Sequence, residues 1–378
     1  MKMQWRLSFL VVISILTFLS FWNYSNRVYD WDMPGYIGCL YTSEFPDSPD
    51  KVRQLTFTSI QKEASAEDYK YLTGEAPFNL SRQYFEKNTQ AFTEQLPYFQ
   101  IKVGYIYMIT FFYKLGFSSP MSVLLVSLIS YFFSGLLLFY IFKILFPEKY
   151  VLTALVTIAV MLFPPMTYMA RVPAPDMFIF PFLLIFIIGL FRQWTSWVMF
   201  LILLSITFIR PDYVTFTLTY LAAIFIFRYY KEKKTDVFLI PQGIAILLLY
   251  LFIIKFYHYP GWKDLFYDSF IERRPIISAK PVEVTLHDYL PILYVKIIYF
   301  KKVTLSVVLM TIFIFWRSKD AWVRMISVFF LLNVYIKFVF FPQSGALRFF
   351  FPLVFPLFIM VLYTFSPKYN GFKLKNIS

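Results

Sequence analysis

Ten apolar stretches joined mostly by short connections leave this chain little choice but a bundle of membrane-crossing helices. A bilayer core takes about 20 mostly apolar residues per helix, because every backbone amide there must find its partner within the segment. The stretches lie near residues 7–22, 120–143, 150–168, 176–192, 195–209, 213–229, 237–256, 302–317, 322–341 and 347–365. Composition agrees, with 59% hydrophobic and 22% aromatic residues. Mean hydropathy is +0.60. Both exceed what a soluble globular domain carries. The expected fold is an all-α polytopic membrane protein of about ten transmembrane helices, with residues 1–378 as a single transmembrane domain. The first stretch reads as an anchor, since no small-residue cleavage pattern follows Ser20-Phe21-Trp22-Asn23.

Lysine and arginine in short loops are retained on the cytoplasmic side. Lys2 and Arg6, Lys143 with Lys149, Arg192, the basic run 228–234, Arg317 with Lys319, and Lys368, Lys373 and Lys375 fall on one side if ten spans are counted. That side, with both termini, is therefore expected to be cytoplasmic. The net charge of +14 is largely this topological signal plus anchoring to anionic membrane lipids. No basic face alternates with aromatics as a nucleic-acid groove requires, so nucleic acid is excluded as a partner.

Two external loops are long, residues 23–119 and 257–301. Eleven of the 22 acidic residues fall between Asp30 and Glu94, which marks the first loop as a solvated segment with structure of its own. Residues 79–96 place Leu80, Tyr84, Phe85, Phe92 and Leu96 at near-helical spacing, the pattern of an interfacial amphipathic helix on the membrane surface. Residues 98–115 are apolar enough to span, but a span there would invert every later loop. They are expected to lie in the outer interface or to dip into the membrane. Residues 289–302 form a second amphipathic stretch.

Several chemistries find no support. Cys39 is alone, and His258 with His287 are too few and too far apart for a metal pair. There is no P-loop, dinucleotide glycine turn, HExxH or GxSxG. What remains are charges near membrane depth, where burial is costly and function is the default hypothesis. Asp30 and Asp32 lie in Asp30-Trp31-Asp32-Met33-Pro34-Gly35, just outside the first stretch. Asp176 follows Arg171-Val172-Pro173-Ala174-Pro175, Asp212 sits in Arg210-Pro211-Asp212, and Arg348 opens the last stretch. All face the side of Asp32 in the orientation above. Structural alternatives stand beside each: turn capping for Asp30 and Asp32, a helix N-terminus for Asp176, pairing with Arg210 for Asp212, and snorkelling to headgroups for Arg348 and Lys102.

These residues resemble the integral-membrane glycosyltransferases of the GT-C fold. The matching features are Asp32 after the first span with Tyr36 four residues on, a long first external loop, and Lys102-Val103-Gly104-Tyr105 leading through Phe111 to Lys114-Leu115-Gly116-Phe117. Asp176, the Arg210-Pro211-Asp212 turn and the late Arg348-aromatic-Pro352 segment complete it. The resemblance implies transfer of a sugar from a polyprenyl-phosphate donor to a lipid or glycan acceptor at the extracytoplasmic face. Asp32 would be the general base, with Asp30 orienting the acceptor and Asp176 a further acidic group. Lys102 and Arg348 would neutralise the departing phosphate, with Arg210 or Arg171 a third cation. Trp31, Tyr36, Tyr105, Trp262 and Tyr267 are the aromatic candidates for holding sugar. No cofactor is demanded, although Asp32 with Asp176 is a candidate pair for a divalent metal ion. A noncatalytic subunit of a polysaccharide export system, or a transporter of lipid-linked glycan, is the alternative; a transporter should carry midplane charges and two related halves. Size and short connections favour a bacterial cytoplasmic membrane.

Overall fold

The computed structural model describes residues 3–233, 235–345 and 347–370. Lys2, Lys234, Ala346, Lys373 and Lys375 lie outside them. Among the described residues all regular structure is helical. Helix α1 (Met3–Ser25) leads into an external layer of α2 (Met33–Glu44), α3 (Pro49–Glu63), α4 (Ala66–Thr73), α5 (Leu80–Lys87), α6 (Thr89–Gln95), α7 (Pro97–Gln100) and α8 (Val103–Lys114). The bundle continues through α9 (Ser119–Leu145), α10 (Tyr150–Met161), α11 (Pro164–Arg171), α12 (Pro175–Arg192), α13 (Ser196–Ile209), α14 (Val214–Phe227) and α15 (Leu239–Phe256). The second long loop holds α16 (Trp262–Phe270) and α17 (Leu286–Tyr299). The chain then returns through α18 (Lys301–Arg317), α19 (Ala321–Phe340), α20 (Phe351–Phe365) and the short α21 (Pro367–Asn370).

Five helices, α1, α9, α12, α15 and α19, are long and apolar enough to cross a membrane. Two bent pairs, α10 with α11 at 58° and α17 with α18 at 68°, raise the number to as many as seven. Prolines explain much of the difference from the sequence count. Residues before proline are pushed out of the helical region. Phe163, before Pro164-Pro165, is extended and bends the stretch at 150–168. Arg210, before Pro211, is likewise extended and stops α13 at 14 residues. At 1.5 Å per residue α13 rises about 21 Å, against a hydrocarbon core of about 30 Å. Helix α12 is packed on most sides, against α9, α13 and α20, and forms the centre of the apolar core.

The external layer has its own core, and this changes two expectations. Residues 79–96 are not one helix: Asn88 leaves the helical region and its side chain accepts from Ala91 N at 2.9 Å, starting α6 afresh. Phe85, Phe92 and Leu96 are buried with Phe57 and Ile60 inside the layer, and of the five expected face residues only Leu80 and Tyr84 remain exposed. Residues 98–115 are likewise two elements, α7 and α8. Helix α8 lies in the outer end of the bundle, so close to α13 that a Cβ on Gly104 would sit 3.0 Å from Ile209 Cα. That placement carries Lys102, at the start of α8, towards the core. The stretch at 289–302 is divided as well, since α17 begins at a Thr285–Asp288 capping box and ends at Phe300, where the chain turns into α18.

The two long loops, 23–119 and 257–301, pack on one another. Tyr98 donates to Asp268 at 2.8 Å, and Glu94 accepts from the backbone N and side chain of Ser278 at 2.8 and 2.6 Å. Opposite this layer, the start of α1 meets the α9–α10 connection, where Trp5 donates to Pro147 O at 3.2 Å. Arg192 reaches Tyr140 at 2.9 Å near the same end. One end of the bundle thus carries the long acidic loops and the other these basic connections.

Candidate active site

Asp32 occupies the residue before α2, where short polar residues ordinarily cap the helix, yet its side chain makes no capping bond. It accepts instead from Arg348 Nη2 at 3.2 Å. Asp30 accepts from Arg348 Nη1 at 2.7 Å through one oxygen and from Trp31 N at 2.7 Å through the other. Arg348 comes from a single 3-10 turn, Leu347–Phe349, that precedes α20. Its Nε also points to Asp176, at 3.8 Å. One guanidinium therefore gathers three carboxylates from two distant parts of the chain. Of the three, Asp32 is the most open to solvent, its side chain 18% exposed against 11% for Asp30 and 3% for Asp176. Burial, and after it the neighbouring charge of Asp30, pushes the Asp32 carboxyl above its usual range, with Arg348 and Lys102 opposing.

The cluster extends inward through Arg210, which pairs with buried Asp176 and with Asp212 at 3.0 Å. Lys337 of α19 closes the far side by donating to Asp212 at 2.9 Å. Lys102 donates to the Tyr36 hydroxyl at 3.0 Å, and its ammonium lies 5.1 Å from both the Tyr36 and Phe99 ring centres. Tyr36 stands edge-on to Phe99 and Tyr105, at 5.1 and 4.8 Å. The close approach needs glycine: a Cβ on Gly35 would meet Phe99 Cζ at 2.6 Å.

Most sequence candidates thus meet in one place: Asp30, Asp32, Asp176, Arg210, Arg348, Lys102 and Tyr36. Asp212 pairs with Arg210, as its structural alternative has it, but also with Lys337. Tyr105 is fully buried and packs Tyr36 from behind. Arg171 does not join. It donates to Asn23 at 3.0 Å and lies over Trp22 at 4.1 Å, bracing the end of α1. Trp262 donates to Phe340 O at 2.6 Å, and Tyr267 accepts from Lys280 at 2.8 Å and donates to Glu272 at 2.9 Å. Neither touches the carboxylates. Lys337 is the residue that sequence reading missed. Its signal was a single charged residue in the second half of α19, where Asn333 is the other polar side chain. The donor set does not suit a divalent ion: Arg348 stands among Asp30, Asp32 and Asp176, so the carboxylates face a guanidinium instead of sharing a cation. Among the described residues no three His, Cys, Asp or Glu side chains group as metal ligands.

Beside this cluster an apolar cavity of about 560 Å³ runs along α20. Leu347 and Phe350, on either side of the Arg348-Phe349 pair, line its mouth, and Phe358 lines its depth. Phe358 lies seven residues beyond Phe351, about 10 Å further down the helix. Val160 of α10 and Val303 of α18 form the walls, with Lys302 and Ser306 as polar groups. An apolar slot with a single lysine, Lys302, in its lining is suited to the tail of an amphiphile with an anionic head. No protein-family model matches the chain, nor does any curated protein or solved structure.

Proposed function

We propose that this chain is a membrane glycosyltransferase that moves a sugar from a polyprenyl-phosphate donor to a lipid or glycan acceptor at the end of the bundle bearing the two long loops. The observation that carries this reading is the ion cluster of Asp30, Asp32 and Arg348, next in the chain to Leu347 and Phe350, which line an apolar cavity. The isoprenoid lies in the cavity, and the donor phosphate sits at its mouth beside Arg348 and Lys302. Arg348 holds Asp32 by its longer bond, 3.2 Å against 2.7 Å for Asp30. An arriving phosphate competes for that donor and releases Asp32 to act as base. Asp32 then takes the proton of the acceptor hydroxyl as its oxygen bonds to the anomeric carbon. The bond from that carbon to the phosphate oxygen breaks, and its electron pair leaves with the polyprenyl phosphate, whose growing charge Arg348 and Lys102 stabilise.

The chain crosses the membrane about ten times, with the shorter helices completed by interfacial residues. Both termini and the basic connections face the cytoplasm of a bacterium. Maleimide labelling tests this topology: Ser278→Cys should react with an impermeant reagent on intact cells and Ser318→Cys only after lysis, and the reverse pattern overturns the orientation. Chemistry is tested with purified protein and radiolabelled polyprenyl-phosphate sugars. Asp32→Asn should abolish transfer with an unchanged thermal midpoint, and transfer at the parental rate removes Asp32 as base.

A further inference from the structure

Helix α11 touches both the apolar cavity and the ion cluster, and one of its side chains has no use so far. At its start, Phe163 and Pro165 line the cavity. At its end, Arg171 O accepts from Val28 N at 3.1 Å, which ties the helix to the segment leading into Asp30 and Asp32. Between these points it packs on the 3-10 turn that carries Arg348. A helix of only 8 residues thus connects the cavity wall with the carboxylates.

Met166, Thr167, Met169 and Ala170 of α11 are buried in the bundle, whereas Pro164 and Tyr168, one helical turn apart, are exposed. Tyr168 lies three residues beyond Pro165, about 4.5 Å further along the helix. It is 44% exposed, and among the described residues its hydroxyl makes no hydrogen bond. The charges of Arg348, Asp30 and Asp32 act on that hydroxyl, and Tyr168 acts in turn on Arg348.

The neighbouring cations leave such a donor work to do. Arg348 directs Nη1 at Asp30, Nη2 at Asp32 and Nε towards Asp176, so each of its nitrogens is already turned to a carboxylate. Lys102 donates to Tyr36. Tyr168 adds an uncommitted O–H on the helix that forms part of the cavity wall. A hydrogen bond from it gains strength as the phosphate gains charge, so it favours the transition state over the bound donor. We propose that the Tyr168 hydroxyl contacts the substrate, donating a hydrogen bond to a phosphate oxygen of the polyprenyl-phosphate donor and holding it through departure. The proton stays on the phenol, and the electron pair of the broken bond leaves with the phosphate. This rests on the glycosyltransferase reading.

The test is direct binding to the full chain in detergent, read by titration calorimetry with farnesyl phosphate, farnesol and inorganic phosphate in turn. Farnesyl phosphate should bind the parent on the order of tenfold tighter than farnesol. Tyr168→Phe keeps the ring and removes only the hydroxyl. It should weaken farnesyl phosphate about tenfold, as the loss of one hydrogen bond to a charged group does, and leave farnesol unchanged. Its thermal midpoint should match the parent's, because no bond within the chain is lost. In turnover with radiolabelled polyprenyl-phosphate sugar it should lower kcat more than it raises KM. Farnesyl phosphate binding the variant as tightly as the parent overturns the proposal. An equal loss for farnesyl phosphate and farnesol also overturns it, by reducing the contact to the ring. Inorganic phosphate binding the parent as tightly as farnesyl phosphate marks a free-anion site and overturns it as well. A parent that binds farnesol as well as farnesyl phosphate and transfers no sugar sinks the enzyme reading and this inference with it. A parent that transfers sugar, beside a Tyr168→Phe variant that binds and turns over as the parent does, sinks this inference alone.

Discussion

Replacing Arg348 with methionine keeps an unbranched stem and removes the one cation bonded to both Asp30 and Asp32, at 2.7 and 3.2 Å. Asp176 retains Arg210, so the loss falls on the first two carboxylates. Removing one partner of a buried ion pair costs roughly 3–5 kcal/mol. Because Asp30 and Asp32 sit at the rim with side chains 11% and 18% exposed, the lower end applies, about 3 kcal/mol. For a chain of this size that is on the order of 4 °C in the apparent thermal midpoint, which tryptophan fluorescence in a fixed detergent follows. The sign with pH is definite. Without the cation the Asp32 carboxyl, already held above its usual range by burial and by Asp30, rises further above its unfolded value, so the penalty is full above the raised value. It fades as pH falls and Asp32 takes up a proton. The deficit should therefore be larger at pH 8 than at pH 5. The triple variant Arg348→Met/Asp30→Asn/Asp32→Asn removes the stranded charges and should recover most of the midpoint while remaining inactive. A single variant within about 1 °C of the parent at pH 8, or a triple variant as unstable as the single, would refute the ion-pair argument.

Two further outcomes concern turnover. Since burial and the Asp30 charge hold the Asp32 carboxyl above its usual range, the acid limb of kcat/KM should lie above that of an ordinary aspartate, near 3.9. Asp30→Asn removes the like charge and should move that limb to lower pH; a limb that stays put or rises disconnects Asp32 from the rate. Ser306→Trp would fill part of the cavity along α20. If it displaces about two carbons of the isoprenoid, at about 0.8 kcal/mol each, KM for a long-chain donor should rise roughly 15-fold. A short-chain donor should be little affected, and equal effects on both would place the lipid elsewhere.

Much of the candidate site was legible because its parts are cheap to recognise one by one. Charges beside apolar stretches are rare, and Asp32, Asp176, Arg210, Lys102 and Arg348 each break such a pattern. Lys337 was missed because a lysine near a helix end reads as a snorkelling side chain until its bond to Asp212 is seen. The amphipathic pattern at 79–96 misled because periodicity reports an apolar face but not what covers it. Phe85, Phe92 and Leu96 are covered, by Phe57 and by the close passage of α2 at Gly38, where a Cβ would meet Phe92 Cζ at 2.6 Å, while Leu80 and Tyr84 stay exposed.

What the sequence by itself determined is whatever one segment settles alone: which stretches are helical and apolar, and how basic and acidic connections divide. Backbone amides in an apolar medium must pair within their own helix, so these choices need no distant partner. Only the tertiary structure decided which charge meets which. Arg348 lies 318 residues from Asp30 and 316 from Asp32. Their meeting depends on the packing of α20 against α12 and on glycines that let α2 approach, which no local pattern encodes.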